Sequence, residues 1–280
     1  MIDDTAAAVA KIREEARRFV ALRRLLESST ALLHGERTAR TAIDATAPRY
    51  PRWQSGVRKL DEDYGGFYGL TLLASTPGVG KSTLALGSSL LAAESGLCVV
   101  YLDGENDQEL VHARTTRFYG ESEVGAAMER LAGYWHRIEV YPGASLDELI
   151  VQILACYELR HEGLLIVLDS LNTLAEFDAR TSQESFDSMR RILFWLDSIV
   201  RRSHGTIRAL ALSELNAQGE VKGRKSGHTA QLVLRLEAEG GDDEVVRLTI
   251  AKSRAGRSGD LGLFRRDWRT GRFEVPRLAS

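Results

Sequence analysis

Apolar residues along this chain follow two rhythms. Between residues 55 and 212 short unbroken apolar runs alternate with longer amphipathic stretches. Leu70-Thr71-Leu72-Leu73-Ala74, Leu97 to Leu102, Leu164 to Leu168 and Thr206 to Leu212 carry almost no polar break. That is the pattern of strands covered on both faces in a parallel sheet. Arg137 to Tyr141 reads as a further short strand. Helical spacing fills intervals between them, at Thr83 to Ala93, from Leu146 onward, and at Phe186 to Arg202. Beyond residue 230 the rhythm becomes alternation, at Leu232 to Leu236, Val245 to Ile250 and Gly262 to Phe264, with a turn at Gly240-Gly241-Asp242-Asp243. The predicted fold is α/β: a mostly parallel sheet flanked by helices, followed by C-terminal antiparallel strands.

A helical extension precedes this core. Residues 3–34 place Val9, Ile12, Ala16, Phe19 and Leu26 on one stripe and Lys11, Arg13, Glu14, Arg17 and Arg24 opposite. Residues 35–54, with Gly35, Pro48 and Pro51, read as a linker, so the chain divides into residues 1–51 and one domain over 52–280. The amphipathic helix is expected to dock on its own domain, with docking onto a neighbouring subunit of a ring as the alternative. Composition narrows the setting. A net charge of -2 confines any nucleic-acid contact to a local basic patch. Cys98 and Cys156 lie in apolar stretches and read as buried thiols rather than as a disulfide or zinc framework. No run is apolar enough to cross a membrane and no signal core opens the chain, which points to the cytoplasm.

The chemistry sits between the first run and the first helix. Ser75-Thr76-Pro77-Gly78-Val79-Gly80-Lys81-Ser82-Thr83 is a phosphate-binding loop, opening on Ser75 where the usual pattern has glycine. Backbone N–H groups and the positive end of a helix dipole would face the phosphates of ATP. Lys81 would reach the β and γ phosphates, and the Ser82 hydroxyl would ligate Mg2+. Asp169 ends the apolar run 164–168 and would hold the magnesium shell beside Ser82. Hydrolysis also needs a group that orients or deprotonates water. Tyr101-Leu102-Asp103-Gly104-Glu105-Asn106 offers Glu105 and Asp103 as competitors on residues alone.

These elements resemble the RecA-type ATPases, in the branch of the DnaB-like replicative helicases and the RadA-like proteins. The segment from Ser55 to Gly69, with its leucine-aspartate and paired glycines, resembles the family's approach to the loop. The resemblance implies a RecA-like P-loop core and assigns the catalytic carboxylate to Glu105. Leu168-Asp169-Ser170 resembles the Walker B end. Ser213 and Glu214 stand where the family senses the γ phosphate, with glutamate at a position where DnaB-like members carry glutamine. Lys252-Ser253-Arg254-Ala255-Gly256 resembles the element that reaches the ATP of an adjacent subunit. The sequence shows no other arginine beside the loop, which favours Lys252 and Arg254 as the cations that complete the site. The four-cysteine module and protease-like domain of RadA-like proteins find no counterpart, so a core ATPase of an accessory recombination or mobile-element system is expected.

The resemblance also implies an oligomer, a hexameric ring or a filament, acting on single-stranded DNA. The segment from Asn172 to Ser185 is too acidic to track phosphates. Lys222, Arg224 and Lys225 put three cations in a glycine-spaced stretch that suits a single-strand backbone. The competing function is a KaiC-like regulatory ATPase that binds a protein partner.

Overall fold

The structure, a computed structural model, describes residues 20–21, 23–26, 50–144, 146–157, 161–177, 182–216, 226–240, 242–267 and 270–275. The domain opens with strand β1 (Arg52–Trp53), helix α1 (Arg58–Tyr64) and strand β2 (Phe67–Tyr68), and β1 pairs antiparallel with β2. The unbroken apolar runs then become strands β3 (Leu70–Ser75), β4 (Cys98–Asp103), β6 (Leu164–Asp169) and β7 (Ile207–Glu214), while the more polar β5 (Trp135–Glu139) forms two residues ahead of the expected stretch. Helices α2 (Lys81–Glu94), α3 (Gln108–Tyr119), α4 (Val124–Leu131), α5 (Leu146–Cys156), α6 (Leu171–Phe177) and α7 (Ser182–Arg202) connect them. The chain ends with the short helix α8 (Ser226–Thr229) and strands β8 (Leu232–Glu239), β9 (Asp242–Ser253), β10 (Gly259–Asp267) and β11 (Arg272–Glu274).

Among the described residues these strands form a nine-stranded sheet in the order β11-β10-β9-β8-β3-β7-β6-β4-β5. From β8 to β5 the neighbours run parallel, and β8 through β11 pair antiparallel. Period-two alternation sends side chains to two cores. Leu72, Val100, Ile166 and Ala209 pack on one face with Ile153, Leu196 and Ile199 of α5 and α7. Leu73, Tyr101, Val167 and Leu210 pack on the other with Leu84 and Leu90 of α2 and with Leu248 and Phe264. Both faces are covered, which is why the strands read as continuous apolar runs.

The described residues between 20 and 26 are helical, and Leu25 and Leu26 are buried in the first of these cores. Leu25 and Leu26 thus dock on their own domain. Val9, Ile12, Ala16 and Phe19, and the stretch 27–49, lie outside the described residues.

Register decides what the sheet brings together. Ser75 pairs with Glu214 and with Leu236, and Asp103 pairs with Asp169. The C-terminal ends of β3, β7, β6 and β4 therefore line one edge. Because β9 runs against β8, its end at Ser253 pairs with Leu232, level with the start of β3. Lys252 and Arg254 consequently lie at the opposite edge. Strand β10 turns back, so its end at Arg266 returns to the edge that carries the loop.

Candidate active site

The loop between β3 and α2 is shaped by two glycines. Gly78 has φ 82° and Gly80 φ 107°, a left-handed conformation that side-chain-bearing residues resist. Gly80 also serves as the N-cap of α2, so the helix begins at Lys81 with its first amides unused by side-chain caps. Ser75 is fully buried as the last residue of β3, and its hydroxyl bonds the Thr76 carbonyl at 2.7 Å. The small side chain is accommodated where glycine is usual.

A cleft of about 410 Å³ opens over the loop. Pro77, Gly78, Gly80, Lys81, Ser82 and Thr83 line one side, and Glu105, Asn106, Arg114, Glu214 and Arg266 line others. The Ser82 hydroxyl donates to Asp169 Oδ1 at 3.1 Å. Asp169 also accepts from the Tyr101 hydroxyl at 2.6 Å and the Asn106 amide at 3.1 Å. Burial pushes its carboxyl up to about 6, partly offset by the Tyr101 bond, with Glu105 and Asp103 adding repulsion. A hydroxyl and a carboxylate in contact at the mouth of a glycine loop are hard oxygen donors suited to Mg2+. A space beside Gly78 with no atom within 4 Å of an added Cβ suits a phosphate chain. The residues present fit magnesium with a nucleotide.

Asp103 and Glu105 have different neighbours. Asp103 is fully buried; its Oδ2 pairs with Arg137 Nε at 2.9 Å. Its Oδ1 accepts from the Glu105 and Asn106 backbone amides at 3.2 and 3.0 Å and from the Asn106 side chain at 2.8 Å. Arg137 also donates to the Asn106 carbonyl. Asp103 thus clamps the turn that aims Glu105 into the cleft. Among the described residues Glu105 accepts from hydroxyls, from Ser170 and from Thr173 at 2.9 Å.

Ser213 and Glu214 end β7 and are tied to α6, whose Asn172 Oδ1 accepts from the Ser213 hydroxyl at 3.2 Å and the Glu214 amide at 3.1 Å. Lys252 Nζ donates to the carbonyls of Gly227, His228 and Ala230 at 2.8, 2.7 and 2.7 Å. Arg254 Nη2 donates to the His228 carbonyl at 2.8 Å. Neither residue lines the cleft of its own chain. Lys222, Arg224 and Lys225 fall outside the described residues.

Sequence reasoning missed three arginines. Arg114 and Arg117 on α3, and Arg266 on β10, line the cleft. The expectation that no arginine of this chain stands beside the loop is therefore corrected. Arg114 and Arg117 follow Leu110 at helical spacing after the Asp107 cap, which accepts from the Leu110 amide at 2.7 Å. Asp107 followed by Gln108 and Glu109 was the available signal. Asn106 was also passed over. Its side chain links Asp169, Asp103 and Arg114, whose Nη1 donates to Asn106 Oδ1 at 2.6 Å.

The buried Asp169 has a measurable cost. Its pKa is raised in the fold, so its contribution favours the fold below 3.8 and is lost as pH rises through about 6. Above that the charge destabilises the nucleotide-free protein by about 3 kcal/mol, at about 1.4 kcal/mol per unit. Asp169→Asn is expected to melt several degrees above the wild type at pH 8. The gap should narrow to about half at pH 5 and close only below pH 3.8. Thermal melts without nucleotide at both pH values check this, and a gap independent of pH contradicts it.

Comparison with known proteins agrees with the geometry. A family model described as an AAA domain matches residues 44–212. The DNA repair protein RadA of Brucella abortus (strain 2308) is 25% identical over 235 residues, covering 82% of this chain and 47% of that protein. RadA of Aquifex aeolicus (strain VF5) is 28% identical over 222 residues, covering 77% and 45%. The chain thus spans about half the length of these relatives. Among solved structures, one ATPase domain superposes with a TM-score of 0.66 at 16% identity, over 83% of this chain and 94% of that one. A KaiC-like protein of Pyrococcus horikoshii OT3 gives 0.62 at 20% identity, over 82% and 100%. A phosphate loop ending β3, a buried aspartate ending β6 and a match across more than half the chain lead to one assignment: the protein belongs to the AAA domain family and is a RecA-type P-loop ATPase.

Proposed function

We propose that this chain hydrolyses ATP, with magnesium, as an oligomeric motor acting on single-stranded DNA. The observation that carries the hydrolytic part is the placement of Glu105 in the cleft with Lys81, on a turn clamped by Asp103 and Arg137. Lys81 neutralises the β and γ phosphates. Ser82 and Asp169 hold magnesium, which, when bound, supplies charge neutralisation on the phosphate oxygens. Glu105 orients a water and takes its proton as the water oxygen bonds the γ phosphorus. The bond between that phosphorus and the bridging oxygen breaks, leaving ADP and phosphate.

The interface reading rests on where the remaining cations lie. Arg254 stands at the sheet edge away from its own loop, so it serves a phosphate only from a neighbouring subunit. In a ring such as a hexamer, or in a filament, the ATP of one protomer then meets Arg254 of the next. Lys252 anchors the turn that presents it, through its bonds to three carbonyls.

The DNA reading is supported by the name of the RadA relatives and by the three cations of the segment 219–228. The fit to the KaiC-like structure over that protein's whole length favours a second reading, a regulatory ATPase with a protein partner, in which those cations are incidental. Charge reversal at Lys222, Arg224 and Lys225 separates the two. Binding to a single strand predicts weaker DNA affinity in the variant and a salt slope reduced by about 0.7 for each phosphate no longer neutralised. Fluorescence titration of a labelled oligonucleotide at several salt concentrations measures both. Unaltered binding in the triple variant favours the regulatory reading.

A further inference from the structure

Arg266 reaches the phosphate loop from the far end of the chain. It lies on β10, opposite Phe273 of β11, and only 2% of it is exposed. Its Nη1 donates to the Gly78 carbonyl at 2.9 Å. A Cβ at Gly80 would meet that Nη1 at 2.5 Å, the Arg266 Cδ at 3.0 Å and Phe273 Cζ at 3.2 Å. The guanidinium therefore packs directly against the loop, where the Phe273 ring also reaches Gly80, and it lines the same cleft as Lys81.

We infer that Arg266 is a positioning residue of the phosphate loop: it fixes the Gly78 carbonyl on the protein side, keeping the loop amides turned to the cleft, and seats a permanent positive charge against the phosphates. A peptide whose oxygen is held on one side presents its N–H on the other, and a phosphate-binding loop works by presenting N–H groups. Rotation of that peptide would put a carbonyl oxygen against an anion. A guanidinium suits this place because it stays protonated and its planar fork keeps one direction when packed. Stability is a weak reason to bury it. Replacing a buried charge with an apolar side chain of similar volume is often neutral or stabilising. Gly80 acquires a second constraint on the same ground. Besides its positive φ, it leaves the space that the guanidinium occupies.

The inference rests on the nucleotide reading of the cleft, and a binding experiment separates the two. Fluorescent ADP and a non-hydrolysable ATP analogue, each with magnesium, are titrated into the wild-type chain, Arg266→Met and Arg266→Gln, with melting temperatures recorded alongside. Both variants are expected to remain folded. Both should bind ADP about ten- to hundredfold more weakly, the equivalent of one hydrogen bond to a charged group. The ATP analogue should lose the same factor, because the loop holds the phosphates common to both. Wild-type ADP affinity in a folded variant overturns the inference and leaves Arg266 as packing. A loss confined to the ATP analogue also overturns it, since that marks a direct bond to the terminal phosphate. If Arg266→Met does not fold, Arg266→Gln, a shorter side chain that keeps a donor without the charge, decides by the same readings. A wild-type chain that binds neither nucleotide contradicts the nucleotide reading itself.

Discussion

Substituting Glu105 by glutamine is expected to preserve ATP binding and to lower turnover by about 10²–10⁴, the usual contribution of a general base. Glutamine keeps the shape and an acceptor for Ser170 and Thr173 but cannot take a proton. The neighbouring carboxylate should behave in the opposite way. Asp103→Asn removes the charge that meets Arg137 at 2.9 Å in a buried setting. Breaking one partner of a buried pair costs about 3–5 kcal/mol. The turn that aims Glu105 would loosen with it, since Asp103 also holds two backbone amides and the Asn106 side chain. Urea unfolding, nucleotide titration and single-turnover phosphate release distinguish the two variants. A stable Asp103→Asn without turnover, beside an active Glu105→Gln, would assign the catalytic role to Asp103.

Loss of Arg254 is expected to leave nucleotide binding in its own cleft intact and to cut turnover by up to about 10³–10⁵, the range of the strongest arginine fingers. The effect depends on assembly, because Arg254 lies beyond the reach of its own loop. Its side-chain hydrogen bond among the described residues, to the His228 carbonyl, is exposed to solvent, where a phosphate can replace the carbonyl. Lys252 is held differently. It bonds three carbonyls, and burial, followed by the proximity of Arg254, lowers its pKa to about 8. Lys252→Ala should therefore impair turnover by loosening the turn that carries Arg254. Arg114, Arg117 and Arg266 already supply cations in the cleft, so a smaller loss than the upper figure is consistent with the trans reading. Mixing separates the possibilities. An interface between an Arg254→Ala cleft and a Glu105→Gln neighbour contains an intact Glu105 and an intact Arg254. Two inactive preparations that co-assemble should recover activity together. Co-assembly without recovery excludes Arg254 from completing the site in trans.

The sheet was legible because its strands are buried on both faces. Leu70 to Ala74 and Leu164 to Leu168 agree with the observed strands to within one residue at each end. Helix α3 was not delineated because it buries only Val111 and Thr115, too little to leave a stripe, and its Asp107 cap marks its start better than its pattern does. The seven-residue α6 and three-residue β11 are too short to leave a periodic signal. In the site, Lys81, Ser82, Glu105 and Asp169 belong to contiguous motifs whose spacing carries their chemistry. Asn106 and Arg114 act through side-chain contacts that no spacing rule encodes. Arg266 meets Gly78 across 188 residues, through a strand order that only the folded sheet supplies. The same topology separates Arg254 from its own loop, which a linear reading leaves undetermined.

Steady-state phosphate release from MgATP, with and without single-stranded DNA, tests the central claim most directly when wild type and Lys81→Ala are compared. The account predicts hydrolysis by the wild type, stimulation by single-stranded DNA, and loss of both in Lys81→Ala, which should stay folded because its change is confined to the start of α2. Hydrolysis by Lys81→Ala at the wild-type rate would contradict the assignment of the site, and wild-type hydrolysis indifferent to DNA would contradict the proposed motor.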